Sequence, residues 1–394
     1  MKILRYLLFT SSLLLGSHSS SLFAEENGDW FTPFSWEAFV SQSVIYSSDY
    51  DYLSRSDDEA SLDMWEAGLL FSTTVKGSIG VSAQLLGRKV SESSGEDIRL
   101  DYGFFSYPIY QSFDRSLGLR LGRIRSSYGF YNETRDIPHT RTGVVMPQAV
   151  YFDMTRNSFY SADGVEFFGS YDLSGEPLAF QLFLSQPVAD KDELEEASQL
   201  SPSKLKGDRS LLAKIIYGEE FDGWRASITY FKPEYEVSVE FPAGDDPLLM
   251  IVEPDASFYS ENIVTSLEYN QFQWSVTFEY LRHKFQTNIP ALASEAVNDF
   301  YEEAYYLQSV YRFDEFWEMY VRYEQTKLRG SSDPKSSFDD ANFGLAFRPD
   351  ENWLLRAEIH YIEGYSRLFS RDNSISDEPD PYWTAVLFQL AYRW

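Results

Sequence analysis

Apolar and polar residues alternate one by one through most of this chain, in runs of about ten residues. Trp36, Ala38, Val40, Val44 and Tyr46 share one parity, and Glu37, Ser41 and Ser43 take the other. Trp65, Ala67, Leu69, Phe71 and Val75 alternate with Glu66, Gly68, Ser72 and Thr74. Phe272, Trp274, Val276, Phe278 and Tyr280 oppose Gln273, Ser275, Thr277 and Glu279, and Trp353, Leu355, Ala357, Ile359 and Tyr361 oppose Arg356, Glu358 and His360. The last ten residues, AVLFQLAYRW, end in the same way, with Val386, Phe388, Leu390, Tyr392 and Trp394 on one side. A period of two places one set on each face of a β-strand.

The connections alternate as well. Lys76-Gly77, Ser174-Gly175-Glu176, Asp222-Gly223, Asn270-Gln271, Asp314-Glu315 and Pro349-Asp350-Glu351 predict short turns. Longer acidic, Pro- and Ser-rich segments are expected at about 47–61, 90–97, 126–163, 187–209, 233–257, 286–301, 328–340 and 364–381. Eight long segments and the short turns between them leave about sixteen strands.

Two details separate the pattern from a soluble β-sandwich. The polar face keeps charges in mid-strand, where a packed core rejects them. The apolar face carries Trp or Tyr at its ends with aliphatic residues between, the arrangement of an aromatic girdle at each membrane interface. In hydrocarbon every unpaired amide costs several kcal/mol, so a sheet placed there must close on itself. The expected fold is all-β: a transmembrane antiparallel barrel of about sixteen strands, with short periplasmic turns and long extracellular loops. An even strand number puts both termini on the short-turn side.

The N-terminus adds a targeting segment. Lys2 and Arg5, the apolar stretch Leu7 to Leu15, and Leu22-Phe23-Ala24 read as a cleavable secretory signal over residues 1–24, leaving the barrel over 25–394. Its loss takes the formal charge from −28 to −30, with 31 Lys and Arg against 61 Asp and Glu. That balance excludes nucleic acid as a partner. Cysteine is absent, which closes disulfide frameworks and Cys-based chemistry. No run of about eighteen apolar residues predicts a spanning helix, a test to which barrels are blind.

With the C-terminal strand, the chain resembles the Gram-negative outer-membrane porin family, whose members end on a strand with a terminal aromatic residue. Phe388, Tyr392 and Trp394 fit, Trp standing for the family's usual Phe. The resemblance implies that these residues are a signal read by the barrel-assembly machinery. It also implies an outer-membrane location among lipid and lipopolysaccharide, a homotrimer, and passive transport of small hydrophilic solutes. Gly122, Arg123, Arg125, Tyr128 and Gly129 are loosely similar to the phosphate-selective porin O/P group. Strict alternation would point Arg123 and Arg125 at lipid, so they lie beyond the apolar band or a bulge turns them inward.

The third long segment, about 126–163, is the longest, and in porins the third loop folds into the channel. The residues expected at a constriction are Arg135, Arg141, Arg156, Glu133, Asp136 and Asp153, flanked by Asp163 and His139. Facing charges of opposite sign across a narrow wet gap orient a dipolar or charged solute. Parity assigns Arg88, Arg99, Arg120, Lys214, Arg225, Arg322, Arg348 and Arg356 to the pore wall, with Glu66, Asp101, Glu166, Glu268, Glu279, Glu318, Glu324 and Glu358. Arginines at the constriction favour small anions.

Other readings weigh less. A non-conducting adhesin or structural barrel is the main alternative, and an outer-membrane hydrolase a lesser one. His139, His283 and His360 sit in no nucleophile signature, so no enzyme is expected. The short stretch before the first strand leaves no room for an N-terminal plug or hatch. The acidic groups Asp57-Asp58-Glu59, Asp190 to Glu196 with Asp245-Asp246, and Asp377 to Asp380 could bridge to lipopolysaccharide through divalent cations. They lack a calcium-loop spacing, so they read as solvated loops with no metal or cofactor.

Overall fold

The chain forms a closed ring of sixteen antiparallel strands in its computed structural model, each paired with its neighbours in sequence. The structure describes residues 34–90, 98–191, 193, 202–220, 222–243, 246–288, 299–331, 333–369, 372–373 and 380–394. The expected signal segment, 1–24, and the acidic stretches 194–196, 245 and 377–379 lie outside the described residues.

The strands are β1 (Ser35–Ser47), β2 (Trp65–Val75), β3 (Ile79–Lys89), β4 (Ile98–Gln111), β5 (Arg115–Arg125), β6 (Ser161–Leu173), β7 (Glu176–Pro187) and β8 (Pro202–Tyr217). They continue with β9 (Gly223–Ala243), β10 (Asp246–Asn270), β11 (Trp274–Asn288), β12 (Asp299–Arg312), β13 (Trp317–Leu328), β14 (Ser337–Phe347), β15 (Trp353–Gly364) and β16 (Tyr382–Arg393). The ring closes where β1 pairs β16, from Phe39 opposite Arg393 to Ser47 opposite Ala385. The Trp394 N–H adds a further bond to the Ala38 carbonyl at 2.9 Å. Closure leaves no strand edge, which is what a sheet surrounded by hydrocarbon requires.

Alternation sets the two faces. On β15, Leu355, Ile359 and Tyr361 point outward and are exposed, while Arg356, Glu358 and His360 point inward and are buried. Around the ring the exposed outer face carries Leu121, Leu182, Ile228, Leu267, Leu307 and Val321 at mid-height. Trp36, Tyr171, Trp224, Trp274, Trp317, Trp353 and Trp394 crowd its short-turn rim, and Tyr46, Tyr323, Tyr361 and Tyr382 the opposite one. Two aromatic rings bounding an aliphatic band match the polarity profile of a bilayer.

One segment expected as a loop is a hairpin instead. β9 and β10 run 21 and 25 residues, so 233–243 and 246–257 pair as sheet, with register shifts near Asp246/Met250 and Glu253/Ala256. About 9–11 residues suffice to span a bilayer, so this hairpin projects well past it. Its alternating EYEVSVEF run carries the strand signal that acidity and Pro233 concealed. A short turn over Ser112 to Asp114, between β4 and β5, joins the turns read from sequence.

Ile228→Lys places a charge in the middle of the outer band. It is expected to cost about 2–4 kcal/mol of folding free energy in lipid vesicles, read by urea titration, with Ile228→Leu near neutral.

Candidate functional site

Residues 126–160 leave β5 and return to β6 through the interior of the ring. The inward turn begins at Gly122, whose φ of +135° suits glycine, and where a Cβ would fall 2.4 Å from the Gly103 carbonyl oxygen. Beyond it the two arginines part. Arg123 stays outside, fork-bound to Asp163 at 2.8 and 3.0 Å. Arg125, the last residue of β5, is buried against Asp101 at 2.6 Å and Asp136 at 2.8 Å.

The segment has little regular structure, only isolated short turns of helix at Pro138–Thr140, Asp153–Thr155 and Arg156–Phe159. Its buried peptide groups therefore need partners elsewhere, since an unpaired buried amide is costly. The wall supplies them by charge. Inward carboxylates accept from loop N–H groups: Glu279 from Phe130 (2.9 Å), Glu324 from Ala149 (2.7 Å) and Glu358 from Val144. Inward cations donate to loop carbonyls: Lys214 to Gly129 (2.6 Å), Arg356 to Gly143 (2.9 Å) and to Arg141, and Arg322 to Val145 (3.4 Å). At Gly129 (φ +57°) a Cβ would lie 2.8 Å from Glu279 Oε1 of the wall and 2.3 Å from the loop's own Tyr151 hydroxyl, so a side chain there would hold the loop off the wall.

On the β2–β5 side the contact is an ion-pair cluster. Arg141 pairs with Glu66 at 2.5 Å, Arg88 with Asp153 at 3.0 Å, and Arg135 with Asp153 at 3.1 Å. Arg156 pairs with Asp101 at 2.8 Å and Asp136 at 2.5 Å. Five of the six residues expected at the constriction thus come together. Glu133 joins through its backbone carbonyl, which accepts from Arg125. These charges are paired and buried, not set apart across a wet gap.

The remaining wall residues are placed as follows. Arg120 pairs with Glu166 at 2.7 Å, and Arg225 with Glu268 at 3.0 Å while lying 4.1 Å over the Phe130 ring. Arg312 and Arg348 both face Glu318 near the short-turn end, at 3.2 and 3.5 Å, and Arg99 is half-buried on β4. His360 sits enclosed between Asp340 (2.7 Å) and Glu358 (3.3 Å). The carboxylates Glu66, Glu166, Glu279, Glu324 and Glu358 are almost fully enclosed, where parity reasoning placed them on a wet wall.

Two features escaped that reasoning. Between β7 and β12 the inner face is apolar at one level: Phe183, Leu212, Phe231, Val264, Leu281 and Ala304, one residue per strand. Tyr128, Met146, Ala149, Val150, Tyr151 and Tyr160 of the loop pack on that belt. Adjacent apolar pairs that break the alternation carry the signal: Leu182-Phe183, Leu211-Leu212, Tyr230-Phe231, Ile263-Val264 and Tyr280-Leu281. Tyr52 and Leu53 after β1, and Tyr365, Leu368 and Phe369 after β15, cover the other side with Val144, Val145 and Met154.

The loop reaches nearly through the barrel. His139 lies 3.0 Å from the carbonyl of Asn352, in the short turn before β15. That carbonyl can only accept, so Nε2 carries a proton. Burial, then Arg393 nearby, lowers the imidazole to about 4.

No protein-family model matches the chain, and no curated protein sequence matches it. Solved structures do. OmpT of Vibrio cholerae, described as outer-membrane expressed, aligns with TM-score 0.57 at 10% identity, over 93% of this chain and 99% of that one. This barrel has the fold of the porins. The anion-selective porin of Comamonas acidovorans aligns with TM-score 0.56 at 11% identity, over 92% and 99% of the two chains. The outer-membrane channel DcaP of Acinetobacter baumannii aligns with TM-score 0.55 at 13% identity, over 91% and 97%.

Glu66→Gln leaves Arg141 without its buried partner. Breaking such a pair costs about 3–5 kcal/mol, expected here as faster hydrogen exchange at loop amides 137–146 with the strand amides unchanged. Acid acts at the tip. Above pH 6.5 the His139 ring is neutral folded or unfolded; as pH falls from 6.5 through 4, only the undocked ring takes up a proton readily. Loop docking should weaken across that window in the wild type and less in His139→Gln, again read by exchange.

Proposed function

We propose that the chain is an outer-membrane channel, passive and without a chemical step, for small hydrophilic solutes, and that residues 126–160 control passage. The observation that carries this reading is the loop's attachment: wall charges hold it by its backbone in the middle of a barrel of porin size. A sixteen-strand barrel is wide enough for an aqueous channel once its interior is not filled. Contacts made of ion pairs and single hydrogen bonds release and re-form more readily than a sheet ladder, so the loop can leave one wall while the ring stays closed. Arg135, Arg141, Arg156, Glu133, Asp136 and Asp153 then flank the path. Arg88 and Arg125 join that cluster together with Glu66 and Asp101, which makes five arginines against five acids, so the preference for small anions rests on the Comamonas porin of the same fold, described as anion-selective. Assembly through Phe388, Tyr392 and Trp394, an N-terminal secretion signal, contact with lipopolysaccharide, and a homotrimer complete the proposal. A trimer form is described for Vibrio cholerae OmpT.

The filled interior favours a second reading, a non-conducting structural or adhesive barrel. A hydrolase has less support. Ser260 approaches a triad, with its Oγ 3.0 Å from His283 Nε2, but Glu302 lies 4.0 Å from His283 Nδ1, beyond hydrogen-bond reach, and is held by Arg367, so the third member is missing.

Planar bilayers separate these. The wild type is expected to show discrete openings, and a variant with 132–148 replaced by a short Gly-Ser linker a larger, steadier conductance. Under a salt gradient the reversal potential should report anion preference. A silent wild type and a silent shortened variant would leave the structural barrel; a cation-selective potential would overturn the anion preference alone.

A further inference from the structure

A cavity of about 300 Å³ lies between the in-folded loop and the inner faces of β9 to β12, toward their long-loop ends. That volume is at the lower end for small-molecule sites, suited to one or two rings. Its walls are aromatic: Tyr128 and Phe159 from the loop, Phe231, Phe258 and Phe285 from the barrel. Phe258 stacks on Tyr235 with centroids 4.6 Å apart, which fixes that wall.

The polar groups at its edge select the charge of an occupant. Arg367 is held in a fork by Glu302 at 2.7 and 3.2 Å and donates to the Gln148 carbonyl at 3.0 Å, so its charge is already met. Asn262 donates to Ser260 Oγ at 2.7 Å, and the Ser260 hydroxyl lies 3.0 Å from His283 Nε2, so these polar groups are already partnered. Glu193 is the group left over. It comes from the loop after β7 and, among the described residues, accepts the backbone N–H groups of Asn157 (2.8 Å) and Ser158 (2.7 Å). Burial, then Asp190 beside it, pushes its carboxyl up to about 8, against the smaller opposing effect of the Arg99 charge.

We propose that this cavity binds a small aromatic amine, its ring among Phe159, Phe231, Phe258 and Phe285 and its ammonium toward Glu193. Aromatic faces attract a cation as well as a ring. An anion would meet Glu193 and Glu302 and find Arg367 engaged. The site differs in place from the ion-pair cluster on the β2–β5 side, and its occupancy does not depend on conduction.

Full-length protein in lipid nanodiscs, titrated with 4-fluorobenzylamine and followed by ¹⁹F NMR, tests this. Saturable binding is expected, at least tenfold weaker for 4-fluorobenzoate and about tenfold weaker in Glu193→Gln. Ser260→Phe, which fills the cavity, should abolish it, and Phe159→Ser should weaken it at least fivefold. Heat-modifiable gel mobility verifies the folded barrel; if Ser260→Phe does not fold, Phe159→Ser decides. Partitioning equal to that of empty nanodiscs, equal affinity for the benzoate, or binding unchanged in the folded variants would overturn the proposal. A barrel that binds the amine yet carries no current would contradict only the channel reading.

Discussion

A peptide group that faces hydrocarbon has no water to bond with, and that single constraint shapes the molecule. It forces the ladder to close, from Phe39 opposite Arg393 through all sixteen strands. Closure then creates an interior, and within the span of the outer apolar band parity sends charged residues to it. Glu66, Glu279, Glu324, Glu358, Arg322 and Arg356 point inward because their neighbours in sequence point outward.

Charges confined there must be hydrated or matched, and residues 126–160 match them. The loop offers what irregular backbone always has in excess, unbonded N–H and C=O groups, and the wall offers carboxylates and cations in the right places. Glu279, Glu324 and Glu358 take N–H groups, and Lys214 and Arg356 take carbonyls. Each side thereby offsets the other's desolvation. The attachment is uneven: ion pairs toward β2–β5, and an apolar belt from Phe183 to Ala304 toward β7–β12. Ionic contacts respond to acid and salt and the apolar ones do not, so the loop has a side on which it is more easily released.

Much of the fold was legible in the sequence, because a period of two is a direct image of a sheet with unlike faces. Strand number, the short turns and the outward Trp and Tyr rims all follow from it. It failed where acidity outweighed periodicity, as in 233–257, whose alternation continues through Glu234, Glu236 and Glu240. The candidate site was legible only as a set of residues. Parity says that Glu66 and Arg88 point inward, but not that Arg141 and Asp153 arrive to meet them, since no local rule ties residues 75 positions apart. The apolar belt was written in doublets such as Leu211-Leu212, which a search for strict alternation reads as noise.

The central claim is that the loop, by moving within a fixed ring, controls passage. The chain has no cysteine, so an introduced pair is clean. Thr142 on the loop and Gln308 on β12 have side-chain atoms 3.2 Å apart. Single-channel recording of Thr142→Cys/Gln308→Cys, before and after a short reducible bis-thiol cross-link, addresses the claim directly. The account predicts openings that the cross-link abolishes and reductant restores; a current indifferent to the link, or no current in either state, would contradict it.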